Sequence, residues 1–97
     1  MPINYEQLTM NNLLNVKVMT PKEMLYNGVA KAVSSKNTEG KFDIIPMHAN
    51  FITIVENQPI IVLTDKNQKI TYNFSQAIIY NLNDQVSVFA EPLSVKI

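Results

Sequence analysis

Arginine, cysteine and tryptophan do not occur in this chain, and glycine occurs only at Gly28 and Gly40. Without arginine there is no planar fork for reading guanine, and eight lysines balanced by eight acids leave no basic face to neutralise phosphates. Nucleic acid is therefore excluded as a partner. Without cysteine there are no disulfides and no thiolate chemistry, so either redox compartment would suit the chain. Two glycines cannot build a Gly-rich nucleotide loop, and G-x-x-x-x-G-K-[ST] is absent. His48 is the single histidine, and no carboxylate or further imidazole stands at motif spacing to make it a general base or metal ligand. No catalytic residue, cofactor or metal is expected. No segment approaches the roughly 18 apolar residues of a membrane span, so direct membrane insertion is not expected. The start, MPINYEQLTMNN, lacks the basic and apolar stretches of a signal peptide, which predicts a cytoplasmic protein.

What is present is a chain of 97 residues, 46% hydrophobic and 16% charged, the composition of one soluble globular domain. Leu14, Val16 and Val18 alternate with Asn15, Lys17 and Met19, a period of two that predicts a strand ending at Thr20-Pro21. Pro21 to Asn27 reads as a connection, Gly28 as a tight backbone path, and Val29 to Ser35 as a second strand. Lys36 to Lys41 is a polar turn cluster. Phe42 to Ile45 resumes apolar character until Pro46, and Phe51–Val55 and Ile60–Leu63 follow, separated by Glu56-Asn57-Gln58-Pro59. Ile70–Phe74, Ile78–Leu82 and Val86–Ala90 complete a meander, the last two joined by the two-residue turn Asn83-Asp84. Turn signals every 8 to 12 residues or so and no sustained helical stripe predict an all-β fold, a flattened β-sandwich of about eight to ten short strands. The division is an N-terminal extension over 1–12, a sandwich domain over 13–91 and a tail over 92–97.

Leu25-Tyr26-Asn27-Gly28-Val29 is similar to a motif M/L-F-x-G-x-V, and Glu39-Gly40 lies in an acidic Gly loop. Ile44-Ile45-Pro46-Met47-His48-Ala49 is similar to I-L-P-G-H-A, and Val86-Ser87-Val88-Phe89-Ala90-Glu91 to V-T-V-L-A-D. Each is short, but in this order and spacing, over about Leu13 to Glu91, they resemble the N-terminal β-sandwich domain of the epsilon subunit of F-type rotary ATP synthases. The resemblance implies a non-catalytic central-stalk subunit that packs on the gamma subunit and lies on the cytoplasmic face of the membrane through its complex. It implies a gamma-facing surface at Pro46, His48, Ala49 and Phe51 with Ala77, Ile78 and Tyr80. A second surface, the Thr38, Glu39, Gly40, Lys41, Phe42 loop, is implied to approach the membrane ring or another component below the stalk, remote from the first.

Three departures bear on that reading. Met47 stands where the family has glycine and Gln76-Ala77 where it has a glycine pair, so those backbones either leave positive φ or carry strain. Lys41 occupies a place commonly acidic, which implies a changed partner below the stalk. Only Pro92 to Ile97 follow the last strand, so the family's C-terminal helical hairpin is expected to be missing. Such differences also suit an F1-like ATPase of the gliding-motor type. From a different class, the alternative is a stand-alone β-sandwich binding module.

The bland reading stands beside each candidate. His48 is equally a loop histidine bonded to backbone, and Asp43, Glu39 and Glu56 are ordinary solvated acids. Tyr72, Phe74 and Tyr80 lack interleaved basic residues and so are core or interface, not a base-stacking platform. Phe51 to Val55 divides between core and interface.

Overall fold

The computed structural model describes residues 13–92, so the extension over 1–12 and all of the tail but Pro92 lie outside the described residues. Seven strands fill it: β1 Leu14–Met19, β2 Met24–Asn37, β3 Gly40–Ile44, β4 Phe51–Glu56, β5 Pro59–Thr64, β6 Lys69–Leu82 and β7 Gln85–Pro92. No helix forms among the described residues. The alternation in β1 becomes a strict buried and exposed pattern, with Leu14, Val16 and Val18 inside.

Eight runs read from the sequence become seven strands because two of them fuse, and the count falls short of the eight to ten expected. Ile70–Phe74 and Ile78–Leu82 are one strand, β6, of 14 residues. The register shifts between Phe74 and Gln76, a bulge at Ser75 that bends the strand without ending it. Strand β2, also of 14 residues, takes in Met24 to Asn27, expected as connection. Its entry is set by Thr20, whose Oγ1 accepts from the Lys22 and Glu23 amides and confines the turn to Pro21 to Glu23. A second register shift falls between Ala30 and Ala32.

Those two bends let β2 and β6 serve two sheets. In sheet I the order is β4, the C-terminal half of β6, β7, β1 and the N-terminal half of β2; β1 and β7 run parallel, and the other pairs antiparallel. Sheet II runs from the N-terminal half of β6 through β5 and the C-terminal half of β2 to β3. The inner faces meet in one core of Leu14, Val16, Val18, Val33, Ile44, Val55, Ile60, Val62, Ile79, Val86 and Val88, with Phe74 and small Ala30, Ala77 and Ala90. The molecule is a β-sandwich, held by burial of β-branched side chains worth about 1.5–3 kcal/mol each before the chain entropy is set against it.

Candidate protein-binding surface

Because successive side chains point to opposite faces, the register of sheet I decides which residues meet solvent. Ile79 is buried, so its neighbours Ile78 and Tyr80 face outward. Ile78 pairs with Ile54 on one side and Phe89 on the other, and Met19 follows opposite Phe89. One step along, Tyr80 pairs with Ile52 and Ser87. The first row is apolar across four strands and the second across β4 and β6, an outward stripe with Ile52 62% and Phe89 52% exposed. Gln76, Glu56 and Glu91 close one end. At that end a groove of about 470 Å³ opens between Met19, Pro21, Ile78 and Phe89.

At the other end the Ile45 to Asn50 loop is tied to the β6–β7 turn. His48 N donates to Ile45 O at 3.1 Å, closing a turn with Pro46 and Met47 in the middle. Met47 has φ of 67°, the left-handed region in which a side chain costs about 1–2 kcal/mol. Positive φ is thus kept at Met47 without glycine, whereas Gln76 and Ala77 do not adopt it and the chain bends at Ser75 instead. The Asp84 carboxylate accepts from the Met47 amide at 2.7 Å, and Asn50 Oδ1 accepts from the Asn83 amide at 2.8 Å. Asn81, 1% exposed, points into the core and donates Nδ2 to Ala49 O at 3.1 Å, with its Oδ1 buried and unpartnered. His48 Nδ1 lies 2.7 Å from Ala49 O, so that nitrogen carries the proton and donates.

The residues expected on one gamma-facing surface therefore divide. Ile78 and Tyr80 lie on the outer stripe; Pro46, His48 and Ala49 lie in the clamped loop. Ala77 is 2% exposed and faces the core, opposite Val55 and Ala90. Phe51 is half-buried against the core and meets His48 at 5.0 Å and Phe42 edge-on at 5.8 Å between ring centroids. Of the run Phe51 to Val55, expected to divide between core and interface, Ile52 and Ile54 are the members that face solvent, and Phe89 joins them without having been expected there. The signal that finds them is the parity of β4 and β7 relative to Ile79, which needs the cross-strand register.

The Thr38 to Phe42 loop is a tight hairpin: Asn37 pairs with Gly40, whose φ is 125°, and Asn37 Oδ1 accepts from the Glu39 amide at 2.9 Å. Glu39 and Lys41 are exposed, but Phe42 turns inward. The two candidate surfaces are not remote, since Phe42 touches Phe51 and Asn37 Nδ2 donates to Thr53 Oγ1 at 3.0 Å.

Two phenols carry the resolved electrostatic shifts. Burial raises Tyr26 and Tyr72 above the ordinary 10.0, with Asp65 adding to Tyr26 and Tyr26 to Tyr72. Both stay protonated near neutrality, and Tyr26 donates its hydroxyl to Val29 O at 2.6 Å. Among the described residues no group of three or more His, Asp or Glu gathers to hold a metal, and no helix is long and apolar enough to cross a membrane.

Fold and surface define an all-β sandwich module with one outer face left apolar. Residues 13–94 match the family of the ATP synthase delta/epsilon chain β-sandwich domain, and the chain belongs to that family. The ATP synthase epsilon chain of Brevibacillus brevis is 26% identical over 78 residues, covering 80% of this chain and 59% of that one. The epsilon chain of Clostridium botulinum (strain Eklund 17B / Type B) is 31% identical over 77 residues, 78% of this chain and 57% of that one. The chain thus spans about three-fifths of the length of these curated relatives. Among solved structures, a chain of the Euglena gracilis mitochondrial ATP synthase superposes with a TM-score of 0.76 at 13% identity, covering 93% of this chain and 64% of that one. A chain from the Tetrahymena thermophila mitochondrial ATP synthase central stalk and c-ring gives 0.67 at 12%, covering 80% and 63%.

Proposed function

We propose that this chain is a non-catalytic central-stalk subunit of an F-type or F1-like rotary ATPase, packing on the gamma subunit through the outer face of sheet I. The observation that carries the reading is the stripe of Ile52, Ile54, Ile78, Tyr80 and Phe89 on a domain of this family. Apolar side chains in register across paired strands lose water together when a partner covers them. Rigidity follows from the sandwich, whose side chains interlock at near-crystalline density and resist shear, as torque transmission requires. Pro46, His48 and Ala49 form the rim of the same contact, and the β2–β3 hairpin with Lys41 meets the component below the stalk. This reading places the chain on the cytoplasmic face of the membrane, held there by its complex.

Co-expression with gamma and capture through a tag tests it. Ile78→Lys should weaken gamma capture by about 30-fold or more, the loss expected of a central interface anchor, while the melting temperature stays within a few degrees of the parent. Unchanged capture would leave the chain a stand-alone binding module.

A further inference from the structure

Asn81 continues the inward row of Ala77 and Ile79 on β6 and stands directly opposite Phe51 of β4 and Val86 of β7. The other buried polar side chains are satisfied close by: Ser35 donates to Pro59 O, and Thr64 Oγ1 accepts from the Lys66 and Gln68 amides. Among the described residues only Asn81 keeps a buried side-chain polar atom, Oδ1, that no protein group reaches. An amide at such a position costs stability that an apolar side chain would not. Its return lies elsewhere in the chain. Nδ2 donates to Ala49 O at 3.1 Å and reaches His48 O at 3.5 Å, both in the Ile45 to Asn50 crossover from β3 in sheet II to β4 in sheet I. Turning the amide over would set Oδ1 against those two carbonyls, so the donor must face the crossover. The other ties between crossover and β6–β7 turn, Asp84 to the Met47 amide and Asn50 to the Asn83 amide, are exposed. Of these ties, only the one from Asn81 is made from the interior.

We infer that Asn81 is a positioning residue that gives up folding stability to hold the Ile45 to Asn50 crossover in one conformation, with its Nδ2 donor as the lock. The lock works in the isolated domain, whatever covers the outer face of sheet I. A buried asparagine that fixes one arrangement at a cost in stability is an attested use of a polar group in an apolar core. Leucine branches at the same carbon, and with it Ala49 O keeps the His48 Nδ1 donor at 2.7 Å, so removing the amide need not leave that carbonyl bare.

Asn81→Leu in the full chain, followed by thermal melting and amide hydrogen exchange, tests both halves of the trade. The variant should melt about 4 °C or more above the parent. The amides of Met47, His48 and Asn83 should nevertheless exchange about tenfold faster, while those of Ile79 and Val88 exchange no faster. A substitution that merely loosened the fold would speed all five. Asn81→Asp keeps the shape and removes the donor, so it should free the same three loop amides while lowering the melting temperature, because a carboxyl group then sits in the core. Melting of Asn81→Leu below the parent overturns the trade. Parental exchange at Met47, His48 and Asn83 in either variant overturns the lock.

Discussion

The two outer faces of the sandwich come from the same period-two rule and end up opposite in character. Sheet I turns Ile52, Ile54, Ile78, Tyr80 and Phe89 outward, whereas sheet II turns Ser34, Lys36, Lys41, Asp43, Lys69, Thr71 and Asn73 outward, with Ile61 and Leu63 half-buried among them. On sheet II the Ser34 hydroxyl donates to Asp43 across the β2–β3 pair, polar groups satisfied within the sheet. On sheet I the row of Ile54, Ile78, Phe89 and Met19 is apolar on apolar, and Ile52 faces Tyr80 beside it. An isolated domain gains nothing in solubility from that arrangement. The contrast teaches that in this fold the inward parity specifies the core and leaves the outward parity free to differ, apolar where β4, β6 and β7 pair in sheet I and polar on sheet II.

The largest effect that can break the comparison comes from crossing the parity within one strand. Ile79→Ala, beside Ile78 but fully buried, should destabilise the domain by about 2–5 kcal/mol in urea unfolding, because it leaves a cavity in a packed core. Ile78→Lys should do the reverse, with binding lost and folding kept. If both substitutions unfolded the chain equally, the outer stripe would be part of the folding core and not a surface.

How much of this was open to sequence reading follows from which residues act locally. Thr20-Pro21, Asn83-Asp84 and the Asn37 to Gly40 hairpin are turns whose chemistry lies in the residues themselves, so the strand ends near them were legible. The Ser75 bulge was not, because Phe74-Ser75-Gln76 resembles a break until β5 and β7 are seen to pair with its two sides. The core parity of Ala77 and the inward turn of Phe51 were hidden for the same reason. An all-apolar run such as Phe51 to Val55 has no intrinsic face, and only its pairing with Gln76 to Asn81 assigns one. The Asn81 clamp was invisible as well, since a buried asparagine acting on a loop 32 residues away leaves no local pattern.

Between the two outer faces, the half-buried end of the core holds Tyr26 and Tyr72, and pH probes it. Burial foremost raises both phenols in the folded state, so folding is favoured while they are protonated. Their contribution is fully present below the unfolded value near pH 10 and is lost as pH rises through the raised folded value. Thermal melts should therefore be level in this respect up to about pH 9 and fall beyond about pH 10, and Tyr72→Phe should flatten part of that alkaline fall. An identical alkaline profile in Tyr72→Phe would show that this end of the sandwich is open to water.

The smallest effect belongs to the hairpin of sheet II. Lys41 is exposed on β3 and stands directly opposite Lys36 on β2, two like charges across a pair. Charges placed this way are mildly destabilising within the sheet, so Lys41→Glu should leave stability unchanged or slightly higher, by about 1 kcal/mol or less. For a partner below the stalk the same change reverses the sign that it meets. That acts chiefly on the association rate and its salt dependence, because an exposed pair contributes little to affinity. The Phe42 and Phe51 contact adds a constraint, since a hairpin tied to β4 can pass a disturbance to the outer face of sheet I. Lys41→Glu alters only the outward charge, so gamma capture should stay at parental strength while crosslinking from position 36 in native membranes changes in yield. A matching loss of gamma capture would mean that the two faces respond as one surface, and the division between an apolar face for one partner and a polar face for another would fail.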